Sequence, residues 1–255
     1  MSYIGDRDFL IEVQKGNVAG HSMVHKFGRN DAVPNGSWAH ISLTPFAIAN
    51  FRQTAIAMRV KAGGNAADTA AGAGAREVTI QGIDSAFAET SEAVATAGAG
   101  ASAATTATFW RVHRAWVSAV GTYTAANTGA VVIEDSGGGA DFITIAAGEG
   151  QSQYTGWTTP TGKTAYLLSV HVAVDSNKTV NVRVFTRLNI DDVAAPMNAK
   201  RLKLFWDGIQ APGYVYKPHG PELSFPEKSD IWVEAYGDGA VSQVSCDFEL
   251  LVVDN

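Results

Sequence analysis

The chain has 255 residues, of which 46% are apolar, enough to bury a core without help from a metal or a disulfide. Its single cysteine, Cys246, excludes an intramolecular disulfide and a multi-cysteine zinc site. The net charge of −6 comes from 25 acidic and 19 basic residues scattered without a like-charged run, so it offers no basic stripe for a phosphate backbone.

The opening Met1–Arg7 has no positive segment leading into an apolar stretch, so no secretory signal is expected. No apolar run approaches the length of a membrane span. Synthesis in the cytoplasm is the expectation. Met1–Lys15 has room for a short helix, while Gly28-Arg29-Asn30-Asp31 and Val33-Pro34-Asn35-Gly36 have the composition of turns. Residues 1–54 are therefore expected as an extended N-terminal arm or docking segment, anchored by Trp38, Phe46 and Phe51.

Residues 55–255 form the expected β region, as one sandwich or as two subdomains of about 55–150 and 151–255 that divide near Gly148-Glu149-Gly150. A strand is predicted over 55–60. It leads into 61–75, too rich in alanine and glycine for a core or a stable helix and expected as a long exposed loop. Arg76–Gly82 alternates Val78 and Ile80 against Thr79 and Gln81, as a half-buried strand does. A second small-residue stretch, 95–107, precedes an aromatic strand over 108–118. Further on, Val180, Val182 and Val184 alternate with Asn181, Arg183 and Phe185, and Ile231, Val233 and Ala235 alternate with Trp232, Glu234 and Tyr236. Val244, Cys246, Phe248, Leu250 and Val252 form another dry face, which makes Cys246 a small buried hydrophobe. One wet and one dry face per strand implies antiparallel pairing. The fold class that follows is all-β, an antiparallel sandwich or jelly-roll-like fold with long Ala/Gly-rich loops.

The chemical motifs are weak. Gly156-Trp157-Thr158-Thr159-Pro160-Thr161-Gly162-Lys163-Thr164 approaches a phosphate-binding loop, but it has five residues between its glycines and leads into a predicted strand instead of a helix. His21 and His25 would share a face only on a helix that the surrounding glycines oppose. No Gly-x-Ser-x-Gly elbow is present. The adjacent acids Glu134-Asp135 and Asp191-Asp192 sit beside turns and are expected as solvated carboxylates. Arg111 and His113 share one strand face, expected as a polar outer surface or an intersubunit contact. Aromatic residues, among them Trp110, Trp206 and Trp232, offer a glycan platform as a secondary expectation. No catalytic, cofactor or metal site is expected.

The block Ala62–Arg76 running into Val78–Asp84 is similar to a recurrent block in virion structural proteins of tailed bacteriophages, especially those of marine and other aquatic hosts. The resemblance extends to His25-Lys26-Phe27-Gly28-Arg29-Asn30, to Phe109–Val117 and Val120–Tyr123, and to Pro160–Tyr166, and so covers most of the chain. It implies a non-enzymatic component of the virion. The leading expectation is a capsid decoration, or cement, protein: a homo-oligomer such as a trimer that contacts the major capsid protein or other virion subunits. The alternative is a tail, neck or fibre-base component that touches host glycan. Expected partner-binding residues are His25, Phe27, Arg29, Trp38, Phe46, Phe51, Arg111 and His113, with neither nucleic acid nor membrane as a partner.

Overall fold

The computed structural model describes residues 8–44, 51–175, 177–216 and 223–255. The chain opens with one short helix, α1 (Phe9–Gln14), capped by Asp8, whose side chain accepts a hydrogen bond from Leu10 N at 3.0 Å. Next come β1 (His21–Val33) and β2 (Trp38–His40). A group of shorter strands follows: β3 (Ile56–Val60), β4 (Ala75–Ile83), β5 (Glu89–Ala95), β6 (Thr108–Phe109), β7 (Arg111–Val120), β8 (Val131–Asp135) and β9 (Asp141–Ile145). The rest comprises β10 (Trp157–Thr158), β11 (Lys163–Val174), β12 (Thr179–Arg187), β13 (Arg201–Gln210), β14 (Gly213–Tyr216), β15 (Ser224–Phe225), β16 (Asp230–Asp238) and β17 (Ser242–Asp254). These strands pair antiparallel, so the molecule is all-β as the alternation predicts.

Two sheets face each other over the larger core. One runs β1-β17-β11-β14 with β15 also on β11, and the other runs β10-β16-β12-β13 with β2 also on β16. The inward series Val180, Val182 and Val184 of β12 and Ile231, Val233 and Ala235 of β16 meets Val244, Cys246, Phe248, Leu250 and Val252 of β17. Each large side chain withdrawn here contributes about 1.5–3 kcal/mol of hydrophobic stabilisation.

β2 and β10 lie end to end along one edge of β16, β2 opposite Glu234–Tyr236 and β10 opposite Asp230–Ile231. Ile41 N and Thr155 Oγ1 both bond Val233 O between them, so one strand is interrupted by everything that lies between those residues. That insertion is a second sandwich with its own core. Its sheets run β6-β3-β8-β9 and β5-β4-β7, and Met58, Val78, Ile80, Phe109, Ile133 and Ile143 fill the space between.

The described part of residues 1–54 does not form an arm. β1 pairs along its length with β17, from His21 opposite Val253 to Val33 opposite Ser242, with a bulge after Asn30. The expected turn at Gly28–Asp31 is strand as well. Gly28 is there because a Cβ would collide with the Ile41 carbonyl oxygen and with Thr155, a close approach that looks like a turn signal in sequence. The expected anchor Phe46 lies outside the described residues.

The loop of residues 61–74 is also more ordered than its composition predicts. Asp68 is 3% exposed and accepts hydrogen bonds from Ala75 N, Thr128 N and Gly129 N, each at 2.8 Å, which ties the loop to the end of the small sandwich. The second small-residue stretch is pinned similarly, since Ser102 Oγ and Thr105 Oγ1 accept from Val60 N and Met58 N at 2.9 Å.

Candidate functional site

The outer face of the sheet containing β16 carries the chemistry. Its outward series, Arg183 and Phe185 on β12 and Trp232, Glu234 and Tyr236 on β16, is the one the alternation predicts. Trp232 stacks on Phe185 with ring centroids 5.6 Å apart and on His40 at 6.2 Å, and Phe51 meets Trp232 edge-on at 5.4 Å. Arg183 lies over the Trp38 ring at 3.8 Å. Aromatic rings and cations thus form one continuous layer.

Glu234 is the acid at its centre, 5% exposed, holding Arg183 Nη2 at 2.6 Å, Trp232 Nε1 at 2.8 Å and Lys200 Nζ at 3.8 Å. Burial pushes its carboxyl upward, but the hydrogen bonds from Trp232 and Arg183 and the charges of Lys200 and Arg183 leave it below its ordinary value. Burial also lowers His40 to about 4 against the opposing pull of Glu234, so the imidazole is neutral at physiological pH.

An open cleft of about 640 Å³ sits on this layer, with Phe51 and Trp232 as its floor and Arg52, Arg187 and Lys200 around it. One wall is held from the small sandwich. Arg111 of β7 donates to Arg52 O at 2.7 Å, lies over the Phe51 ring at 4.7 Å and is fixed by a fork to Asp230 of β16. Arg52 is held in turn by Asp135 at 2.6 Å.

The expected contact residues separate into two groups. Arg111 and His113, expected on an outer surface or at an intersubunit contact, are each 5% exposed because β7 faces the large sandwich at this point. They form the seam between the sandwiches together with Lys26, whose amine donates to His113 O and lies 5.6 Å from the Tyr154 ring centre. Burial and the charge of Arg114 hold the Lys26 amine well below its ordinary range, and burial, then Lys26, Arg111 and Arg114, do the same to His113. Near this seam, Phe27 O accepts from Tyr154 N at 2.9 Å, Arg114 reaches His25 O, and Arg29 pairs with Glu149 at 2.8 Å. His25, Phe27 and Arg29 thus join the two halves of this chain. Trp38 and Phe51 belong to the aromatic layer, where sequence reasoning assigned them to an arm.

The histidine pair does not form, because His21 and His25 lie on a strand, and the described residues hold no His/Cys/Asp/Glu cluster suited to a metal. Gly162 is a turn at φ 70° before β11, and Lys163 pairs with Asp254 at 2.8 Å, so the loop resembling a phosphate cradle opens a strand. Glu134 is not a solvated loop acid: it is 4% exposed on β8 and paired with Arg59 at 2.8 Å. Sequence reasoning missed the cleft cations Arg52, Arg187 and Lys200. The one available signal is that Arg187 continues the outward series Asn181, Arg183 and Phe185.

A second surface lies at the sheet edge. Among the described residues β13 pairs only with β12, and its outward Leu202 and Phe205 are 52% and 49% exposed. Adjacent exposed apolar residues on a free edge mark an interaction surface.

No protein-family model matches the chain, and neither does any curated protein. Among solved structures it is similar to "Structure of infectious bursal disease virus Gt strain", at 8% identity over 92% of this chain and 80% of that one, with a TM-score of 0.14. A likeness at that score carries no argument about fold or function.

Proposed function

We propose that this chain is a non-enzymatic virion structural protein of a tailed bacteriophage, a capsid decoration protein that binds the head lattice and stabilises it. The observation that carries this reading is the strand order of the large sandwich. With β2 and β10 counted as one interrupted strand, β1-β17-β11-β14 faces β10-β16-β12-β13, an order that supports reading the large sandwich as a jelly roll built from two Greek keys. Viral capsid domains use that fold, as do lectins. The resemblance of His25–Asn30, Ala62–Asp84 and Phe109–Val117 to phage virion proteins supports the same assignment.

The exposed edge at β13 is the docking face in this reading. Leu202 and Phe205 meet neighbouring virion subunits, either the major capsid protein or another copy in a homo-oligomer such as a trimer. Purified protein added to heads stripped of it should bind, and the double variant Leu202→Asp with Phe205→Asp should fold normally but lose binding. Undiminished binding by the variant overturns the docking face, and failure of the parent chain to bind any head overturns the decoration role.

A tail, neck or fibre-base position is the second reading. The cleft favours it, because a site for a small ligand on the particle suits host contact better than lattice reinforcement.

A further inference from the structure

We infer that the cleft on the outer face of the β16 sheet is a binding site for a carboxylated sugar, a uronate-type ring carrying one negative charge. The inference does not rest on where the chain sits in a particle, only on the charge and shape of the cleft.

Charge is the first argument. Five cations gather here: Arg52, Arg111, Arg183, Arg187 and Lys200. Three carboxylates answer them, Asp135 for Arg52, Asp230 for Arg111, and Glu234 for Arg183 and Lys200. His40 is neutral, with its pKa held at about 4. Among the described residues two positive charges remain uncompensated, on a chain whose net charge is −6.

Arg187 makes the demand specific. Its Nε is withdrawn from solvent and has no hydrogen-bond partner among the described residues, an unusual state for a guanidinium that normally fills its fork. A carboxylate in the cleft supplies that acceptor, with the Lys200 amine on its other side.

Shape and lining select a sugar from among the carboxylates. The volume of about 640 Å³ suits one or two saccharide rings. Phe51 and Trp232 offer an apolar floor to the C–H face of a ring, while Gln53, Thr54 and Asn198 offer amide and hydroxyl groups to its hydroxyls. Arg111 is a positioning residue for this site, since it fixes Phe51 and Arg52 without lining the cleft.

Titration calorimetry of the full chain with a tetragalacturonate, a neutral galactose tetramer, inorganic phosphate and a hexaglutamate peptide tests the inference. The tetragalacturonate should bind, the neutral sugar at least about tenfold more weakly, and Arg187→Gln should weaken uronate binding by about tenfold, the loss of one charge-assisted contact. If Arg187→Gln fails to fold, Lys200→Met carries the same expectation, because Lys200 is 44% exposed and contributes little to packing. Absence of uronate binding overturns the assignment. Equal binding of the neutral sugar overturns the role of charge, and phosphate or hexaglutamate binding as tightly as the uronate overturns the sugar, leaving a general anion patch or a peptide groove. Unchanged affinity in both variants overturns the location.

Discussion

Arg111 reaches out of the small sandwich and closes a fork on Asp230 of the large one, with Nη2 2.9 Å from Oδ2 and Nε 3.1 Å from Oδ1. The two side chains are 6% and 0% exposed, and Thr158 Oγ1 adds a third hydrogen bond to the carboxylate at 2.7 Å. A buried pair of this kind contributes modestly as a whole, but removing one partner strands the other's charge in a low-dielectric seam, at a cost of about 3–5 kcal/mol. Asp230→Asn should therefore lower the unfolding free energy by about that amount in a urea melt. Splitting of the melt into two transitions would show that the pair also couples the sandwiches.

The seam and the aromatic layer also set the pH response. His40 and His113 are buried as neutral imidazoles, so unfolding releases them to take up protons as the pH falls below about 6.5. Their folded pKa values lie below the unfolded one, so stability falls with the pH across that window and levels off below the folded values. For His40, lowered to about 4 by burial against the pull of Glu234, the loss is about 3 kcal/mol over the window. Lys26, depressed by burial, acts in the same sense at the alkaline end, adding stability as the pH climbs toward the ordinary lysine range. Thermal melts should show the melting temperature rising from pH 4 to about pH 6.5, and His113→Gln should flatten that limb. An acid-side optimum would contradict the assignment.

Gly28 tests the packing of β1 against the interrupted strand. Gly28→Ala places a methyl group against the Ile41 carbonyl and Thr155, where backbone has to move, so the expected loss is about 1–3 kcal/mol. Gly16→Ala is a control of different origin: its Cβ meets nothing within 4 Å, so any loss there comes from its φ of 73° alone.

The strands with one dry face are legible because their periodicity survives in the residues themselves: β4, β12, β16 and β17 lie close to their expected spans. β1 was not legible, because its inward positions hold Lys26 and Gly28 where apolar residues were looked for. β13 was hidden for the opposite reason, being apolar on both faces, with Leu204 and Trp206 toward the core and Leu202 and Phe205 toward solvent. The interrupted strand was invisible because β2 and β10 are far apart in sequence and join only through β16. The cleft assembles from four separate stretches, so no local spacing announces it. Arg183 and Phe185, on a face correctly read as outward, pointed toward it, as did Trp232, named among the aromatic residues of a glycan platform.

Asp68 offers a test of the small-residue loop. Its carboxylate takes three backbone N–H donors, and bonds to a charged acceptor contribute about 1.5–3 kcal/mol each. Asp68→Ala should expose residues 61–74 to limited proteolysis while the β16 core stays protected from hydrogen exchange. Asp68→Asn, which keeps one acceptor oxygen, should lie between the variant and the parent.

Imaging the assembled particle at subunit resolution tests the central claim most directly, because it gives position and copy number together. The decoration role predicts this chain on the outer surface of the head in copies on the order of hundreds, repeated by the lattice symmetry, with the β13 edge against a neighbouring subunit. Density for the chain in only a few or a dozen copies along the tail axis, or in no part of the particle, would contradict it.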